Sequence, residues 1–124
     1  MYKYQADVVR VVDGDTLVVN IDVGFNIRHE ITARILGIDT HEIHFVKHES
    51  EEYKRGMKER EFVQDWVEEG QISHSDRFPF VVETRVREGE KGKYGRYLID
   101  IVRKSDSSTL TAELKENFKD IDYE

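Results

Sequence analysis

Apolar and polar residues alternate with a period of two through the first third of the chain, and that rhythm predicts strands. Val8 to Val12 form an apolar-rich run that stops at Asp13-Gly14, a dipeptide suited to the positive φ angles of a tight hairpin turn. From Thr16 to Val23 the odd positions Leu17, Val19, Ile21 and Val23 are apolar, while Thr16, Asn20 and Asp22 face the other way. Gly24 to Asn26 make a second turn. Ile27, Ile31, Ala33 and Ile35 resume the alternation in a third strand, against Arg28, Glu30, Thr32 and Arg34 on its polar side. Three strands joined by short turns form a meander.

The period then changes. Asp39 to Ser50 has none and gathers His41, Glu42, His44, Lys47 and His48, the pattern of a functional loop or of a plain solvated one. Ser50 suits a helix N-cap, Glu51 and Glu52 suit the first turn, and Tyr53, Met57, Phe62, Val63, Trp66 and Val67 supply an apolar face, with Trp66 as core. Gly70 is the expected stop. Arg77 to Arg87 read as a fourth strand with Pro79 near its start, where a missing amide donor does least harm. A turn through Gly89, Gly92 and Gly95 leads to a fifth strand, Arg96 to Arg103. After Asp106-Ser107-Ser108, Thr111 to Phe118 reads as a short helix with Leu114 and Phe118 inward.

The predicted fold is therefore mainly β with α: five strands, one long helix after the third and a short C-terminal helix. An open sheet of five strands leaves exposed edges, so a small closed barrel is expected, and the oligonucleotide-binding (OB-fold-like) barrel is the economical choice. A chain of 124 residues is the size of one such domain.

Composition narrows the chemistry. There is no cysteine, which excludes disulfides, a thiolate zinc site and a cysteine nucleophile. The N-terminus moves straight into strand pattern without the apolar stretch of a signal peptide or membrane span, so a soluble, cytoplasmic monomer is expected, with secretion open to a form whose leader was removed. A formal charge of −7 opposes polyanion binding. The excess lies in residues 49–69 and 113–124, however, and residues 85–96 carry Arg85, Arg87, Lys91, Lys93 and Arg96 against Glu88 and Glu90. Binding to a polyanion should then be local and sensitive to salt.

Three clusters bear on function: Asp13-Gly14-Asp15-Thr16, then Arg34-Ile35-Leu36-Gly37-Ile38-Asp39-Thr40-His41-Glu42, then Lys93-Tyr94-Gly95-Arg96. Each alone has a bland reading as a turn, a solvated charge or chance. In this order, across Val8 to about Leu114, they resemble the staphylococcal nuclease (thermonuclease) family, with its hairpin Asp-Gly-Asp-Thr, its strand ending Arg-(four residues)-Asp-Thr-Pro-Glu and its later Lys-Tyr-Gly-Arg. The resemblance implies a calcium-dependent nuclease acting on single-stranded or locally open DNA and on RNA.

The residue types suit that chemistry. Asp15 and Asp39 offer hard oxygen ligands for a divalent cation, and by resemblance the carbonyl of Thr40 joins them. The low number of protein oxygens leaves places for water and substrate phosphate. Glu42 is the candidate general base, since a glutamate of ordinary pKa, about 4.3, accepts protons at neutral pH. Arg34 and Arg96 present permanently charged planar forks for phosphate oxygens and transition-state charge. Lys93 and Tyr94 match family positions that contact a terminal phosphate.

The chain also departs from the family. His41 replaces the usual proline, so the loop should gain an amide donor and lose rigidity. Gly92 stands where an acid often precedes Lys-Tyr-Gly-Arg, and the family's third helix and base-stacking tyrosine have no counterpart; Tyr123 does not align. His41, His44 and His48 with Glu42 have no familiar zinc spacing and read as an ordinary polar loop. The main alternative is a non-catalytic OB-fold scaffold that binds nucleic acid or protein. Acidic helices acting as a protein-binding surface are a third reading, countered by the interspersed Lys54, Arg55, Lys58 and Arg60.

Overall fold

The computed structural model describes residues 2–74, 77–84 and 97–122. Among them, β1 (Lys3–Asp13), β2 (Thr16–Asp22), β3 (Arg28–Ile35), β4 (Phe80–Thr84) and β5 (Tyr97–Arg103) close into one barrel in the order β1-β2-β3-β5-β4. Helix α1 (Glu51–Ser73) lies between β3 and β4 in the chain, and α2 (Leu110–Asn117) follows β5. The meander β1-β2-β3 is antiparallel, β1 also pairs with β4, and the seam is closed by a parallel pairing of β3 with β5 at Ala33 to Ile35. This is the OB-fold-like barrel expected from the pattern.

Strand β1 begins at Lys3, well before Val8, because its two ends serve different neighbours. Lys3 to Ala6 pair with β4, and Ala6 to Asp13 pair with β2 across register shifts at Val8/Arg10 and Val11/Asp13. Such irregularities bend and twist a strand, which lets one strand turn the corner of a barrel. The odd positions of β2, Leu17, Val19 and Ile21, are buried in the core with Ala33, Ile35, Phe80, Val82, Ile99 and Ile101. Val18 and Thr16 are buried too, so the start of β2 is covered on both faces, while Val23 lies beyond the strand and is exposed.

Ser50 caps α1 as expected, its Oγ accepting from Tyr53 N–H at 3.2 Å, with Glu51 and Glu52 in the first turn. The buried stripe of α1 is Gly56, Glu59, Val63, Trp66, Val67 and Gly70. Gly70 does not end the helix, which runs three residues further. A Cβ at Gly70 would come within 2.7 Å of Arg103 Cδ and 3.0 Å of Phe80 Cε1, so glycine is there for close approach to β4 and β5. Helix α2 starts one residue earlier than expected, at Leu110, where Thr109 Oγ1 accepts from Ala112 N–H. Strand β4 begins at Phe80, just after Pro79; residues 85–96, which include the end expected for this strand and the following glycine turn, lie outside the described residues. No helix among the described residues is long and apolar enough to cross a membrane.

Candidate functional site

The β1–β2 hairpin reverses through Gly14 and Asp15. Gly14 does not have the positive φ expected of it, and its role is spatial: a Cβ there would lie 2.6 Å from Thr40 Cγ2 and 3.1 Å from Glu59 Cβ. The turn therefore presses directly on the loop after β3 and on α1. Asp13 Oδ1 accepts from Asp15 N–H at 3.1 Å, an Asx-type bond that sets the turn. The carbonyl of Asp15 accepts from Ile35 N–H at 2.8 Å, tying the turn to the end of β3.

Four of the expected site residues, Asp15, Arg34, Asp39 and Thr40, converge here. The Asp15 carboxylate is buried; its Oδ1 accepts from Thr16 Oγ1 at 2.9 Å and its Oδ2 from Thr40 N–H at 3.1 Å. Arg34, in ladder register with Thr16, sends Nη2 to Asp39 Oδ1 at 3.0 Å and to the carbonyl of Ile38 at 3.1 Å, and the same nitrogen stands 3.7 Å from Asp15 Oδ2. Gly37, at φ +84, turns the chain after β3, and Asp39 N–H donates to Ile121 O at 2.7 Å. The segment after α2 thus braces the loop that carries Asp39.

The acids at this corner do not titrate alike. Burial, and then the hydrogen bond and charge of Asp15, push the Asp13 carboxyl up to about 7. Burial also pushes Asp15 up, but hydrogen bonds with Asp13, Thr16 and the Thr40 amide, together with the Arg34 charge, outweigh it and hold Asp15 below its ordinary value. Near neutral pH, Asp15 is the carboxylate of the pair and Asp13 retains much of its proton.

The loop from Thr40 to Ile43 is clamped from its other side by α1. Glu59, only 2% exposed, accepts from His41 N–H at 2.7 Å through Oε1 and meets His41 Nδ1 at 2.8 Å through Oε2. One helical turn earlier, Gly56 makes room: a Cβ there would stand 2.6 Å from His41 O and would strike Ile43 Cγ2. Consecutive amides of Thr40 and His41 are thus held by Asp15 and Glu59. The donor gained where the family has proline is satisfied, and the expected loss of rigidity is offset by a two-point bond to a buried carboxylate.

Glu42 stands differently. It is exposed; its Oε1 accepts from the N–H groups of Ile43 at 3.1 Å and His44 at 2.9 Å, and its own N–H donates to Glu52 Oε2 at 2.6 Å. Its described hydrogen bonds reach neither Asp15, Arg34 nor Asp39. Lys93, Tyr94 and Arg96 lie outside the described residues. His48 stacks on Tyr53 at 4.4 Å, and His41 is bound to Glu59.

Among the described residues, no three His, Asp, Glu or Cys side chains form a group able to hold a metal ion. The donor set is nonetheless of the right type for a hard divalent cation: two carboxylates, Asp15 and Asp39, face a locus already occupied by positive charge, with a third acid, Asp13, behind them. Thr40 turns its N–H, rather than its carbonyl, to Asp15.

Sequence reasoning overlooked Asp13 and Glu59 as parts of the site. Asp13 was visible as the first acid of its motif. Glu59 falls on the stripe Gly56, Glu59, Val63, Trp66, and a glutamate at helical spacing with core residues is a signal for a buried, paired carboxylate. No protein-family model matches this chain, and no curated protein matches it either.

Proposed function

We propose that this protein is a divalent-cation-dependent nuclease, with calcium as the expected ion, that hydrolyses phosphodiester bonds of single-stranded or locally open DNA and RNA. The observation that carries this reading is the meeting of Asp15, Arg34 and Asp39, from a hairpin turn, a strand end and a loop, at one guanidinium nitrogen. These are the residues whose order along the chain resembles the staphylococcal nuclease family. Asp15 and Asp39, with the Thr40 carbonyl, are the groups to hold the ion. When bound, such an ion neutralises phosphate charge and makes a coordinated water more acidic.

The chain's own groups supply the remainder. Arg34 brings a planar, permanently charged fork to phosphate oxygens and to the charge that concentrates on them during attack, and Arg96 is assigned the same task. Glu42 accepts the proton of the attacking water on Oε2, since its Oε1 is engaged by the amides of Ile43 and His44. Lys93 and Tyr94 are the substrate-phosphate contacts. That present engagement of Glu42 with its own loop also favours a second reading, a non-catalytic barrel that binds nucleic acid or protein.

Cleavage of single-stranded DNA in calcium, in magnesium and in chelator, by the native protein and by Glu42→Gln, separates the two. The nuclease reading expects calcium-dependent cutting that drops about 10²–10⁴-fold in the variant. Undiminished cutting by Glu42→Gln would reassign the base, and DNA binding with no cutting in any metal would establish the scaffold.

A further inference from the structure

Helix α1 and the segment after α2 enclose a cavity of about 400 Å³. Phe118, whose ring meets Phe62 edge-on at 5.4 Å, lines it as an apolar wall, and the clamped pair His41 and Glu59 also line it. Three cations face it: Arg55 and Lys58, one turn apart on α1, and Lys119 from the segment after α2. Arg55 has a long contact with Glu51, 3.9 Å in an exposed pair, and Lys58 and Lys119 have no ion-pair partner among the described residues. Of the two acids in the lining, Glu59 is committed through both oxygens to His41, which leaves Asp120 as the uncommitted one.

A concave site where three cations meet is unexpected on a chain of net charge −7, because unpaired like charges repel unless an anion joins them. We propose that this cavity is a phosphate subsite, and that its occupant is a backbone phosphate of the nucleic-acid strand whose neighbouring linkage lies at the candidate site. The identity of the strand rests on the nuclease reading; the preference for phosphate rests on the cavity itself. Connection between the two places is direct, since His41 lines the cavity and stands in the chain between Thr40 and Glu42. Lysines suit this task as point charges that follow a flexible backbone, and they carry no base preference.

Binding of a fluorescent twelve-nucleotide oligothymidylate to the full chain, in chelator so that no cutting intervenes, tests the subsite through its salt dependence. The double variant Lys58→Gln/Lys119→Gln should bind several-fold more weakly than the native protein. Its slope of log affinity against log salt should be shallower by about 0.7, the value for one phosphate of a single strand. Lys58→Arg/Lys119→Arg should keep the native slope, which separates lost charge from a damaged fold. Titration with inorganic pyrophosphate, followed by amide NMR shifts, should move His41, Lys58 and Lys119 together. An unchanged slope in the glutamine variant, no binding by the native protein, or pyrophosphate shifts that spare these three residues would overturn the subsite. Binding with the expected slopes by a protein that cuts nothing supports the subsite and removes only the nuclease reading.

Discussion

Arg34 on β3 and Arg103 on β5 both lie near the ends of paired strands, both are nearly buried and both face carboxylates, yet their surroundings are balanced in opposite senses. Arg103 donates through Nε and Nη2 to Asp106 and through Nη1 to the carbonyl of Trp66 at 2.9 Å, with its guanidinium 5.1 Å above the Trp66 ring. The hydrogen bond from Arg103 is the main reason that Asp106 is held well below the ordinary carboxylate range. The second acid of Arg103, Glu69, stands 3.5 Å from Nη1 and is exposed to solvent. Arg34 also meets two acids, Asp39 and Asp15, but behind them stands a third, Asp13, pushed up to about 7 by burial and by Asp15. One corner is complete within the chain. The other gathers three carboxyl groups, those of Asp15, Asp39 and Asp13, around one guanidinium, the condition under which a further cation binds favourably.

The sharpest way to break this contrast is to remove each arginine. Arg103→Met should lower stability to urea by about 3 kcal/mol, because Asp106 and the Trp66 carbonyl lose their partner, and should leave cleavage per folded molecule unchanged. On the nuclease reading, Arg34→Met should lower cleavage per folded molecule by about 10²–10³-fold, since it removes the charge proposed to stabilise phosphate, beyond the stability lost by leaving the buried Asp15 without its cation. Parallel losses of activity and stability in both variants would dissolve the distinction.

The two corners should also respond oppositely to pH. A carboxyl whose folded pKa is raised binds its proton more tightly in the native state, so its stabilising contribution is complete below the unfolded value, near 4, and is lost as pH rises through its folded value. For Asp13 that window runs from about 4 to about 7, and in chelator the native protein should lose about 2 kcal/mol across it after allowance for solvent screening. Asp15, with its pKa lowered, acts in the opposite sense at the acid end. Asp13→Asn should flatten the fall above pH 4. Asp106 is the converse case: its contribution is present above the unfolded value and disappears on acidification below it, so Asp106→Asn should lower stability by a constant amount above about pH 4 and flatten the acid limb.

A smaller effect tests how the site is assembled. Gly14→Ala places a methyl against Thr40 and Glu59, and should cost about 1–2 kcal/mol while weakening cleavage through displacement of the loop. A stability equal to the native protein's would show that the hairpin and α1 are not in the close contact described.

How much of this was legible in sequence depends on the range of the interaction. Local rules sufficed for the meander, for the Ser50 cap, for Trp66 as core and for the barrel as the answer to unpaired edges. They failed where a residue's role was decided by a distant neighbour. Gly14 and Gly70 carry the local signature of a turn and a helix stop, but both are set by what passes close to them: Thr40 and Glu59 in one case, Arg103 and Phe80 in the other. Glu59 is one of eight acids in residues 49–69, and although its spacing with Val63 and Trp66 marks it as inward-facing, its partner His41 is visible only in the fold. At the site, the order of the motifs foretold that Asp15, Arg34 and Asp39 belong together. It did not foretell that Glu42 turns to its own loop, because the competing donors are the amides of the two residues that follow it.

The claim beneath all of this is that the acid excess around Arg34 is a place for a divalent cation. Urea unfolding at pH 7.5 with and without calcium, for the native protein and for Asp39→Asn, measures it directly, because Asp39 is exposed enough to be replaced without disturbing the core. The native protein should gain about 2.7 kcal/mol at a calcium concentration a hundredfold above the dissociation constant, and Asp39→Asn should gain much less at the same concentration. No gain in the native protein, or an equal gain in both, would contradict the account.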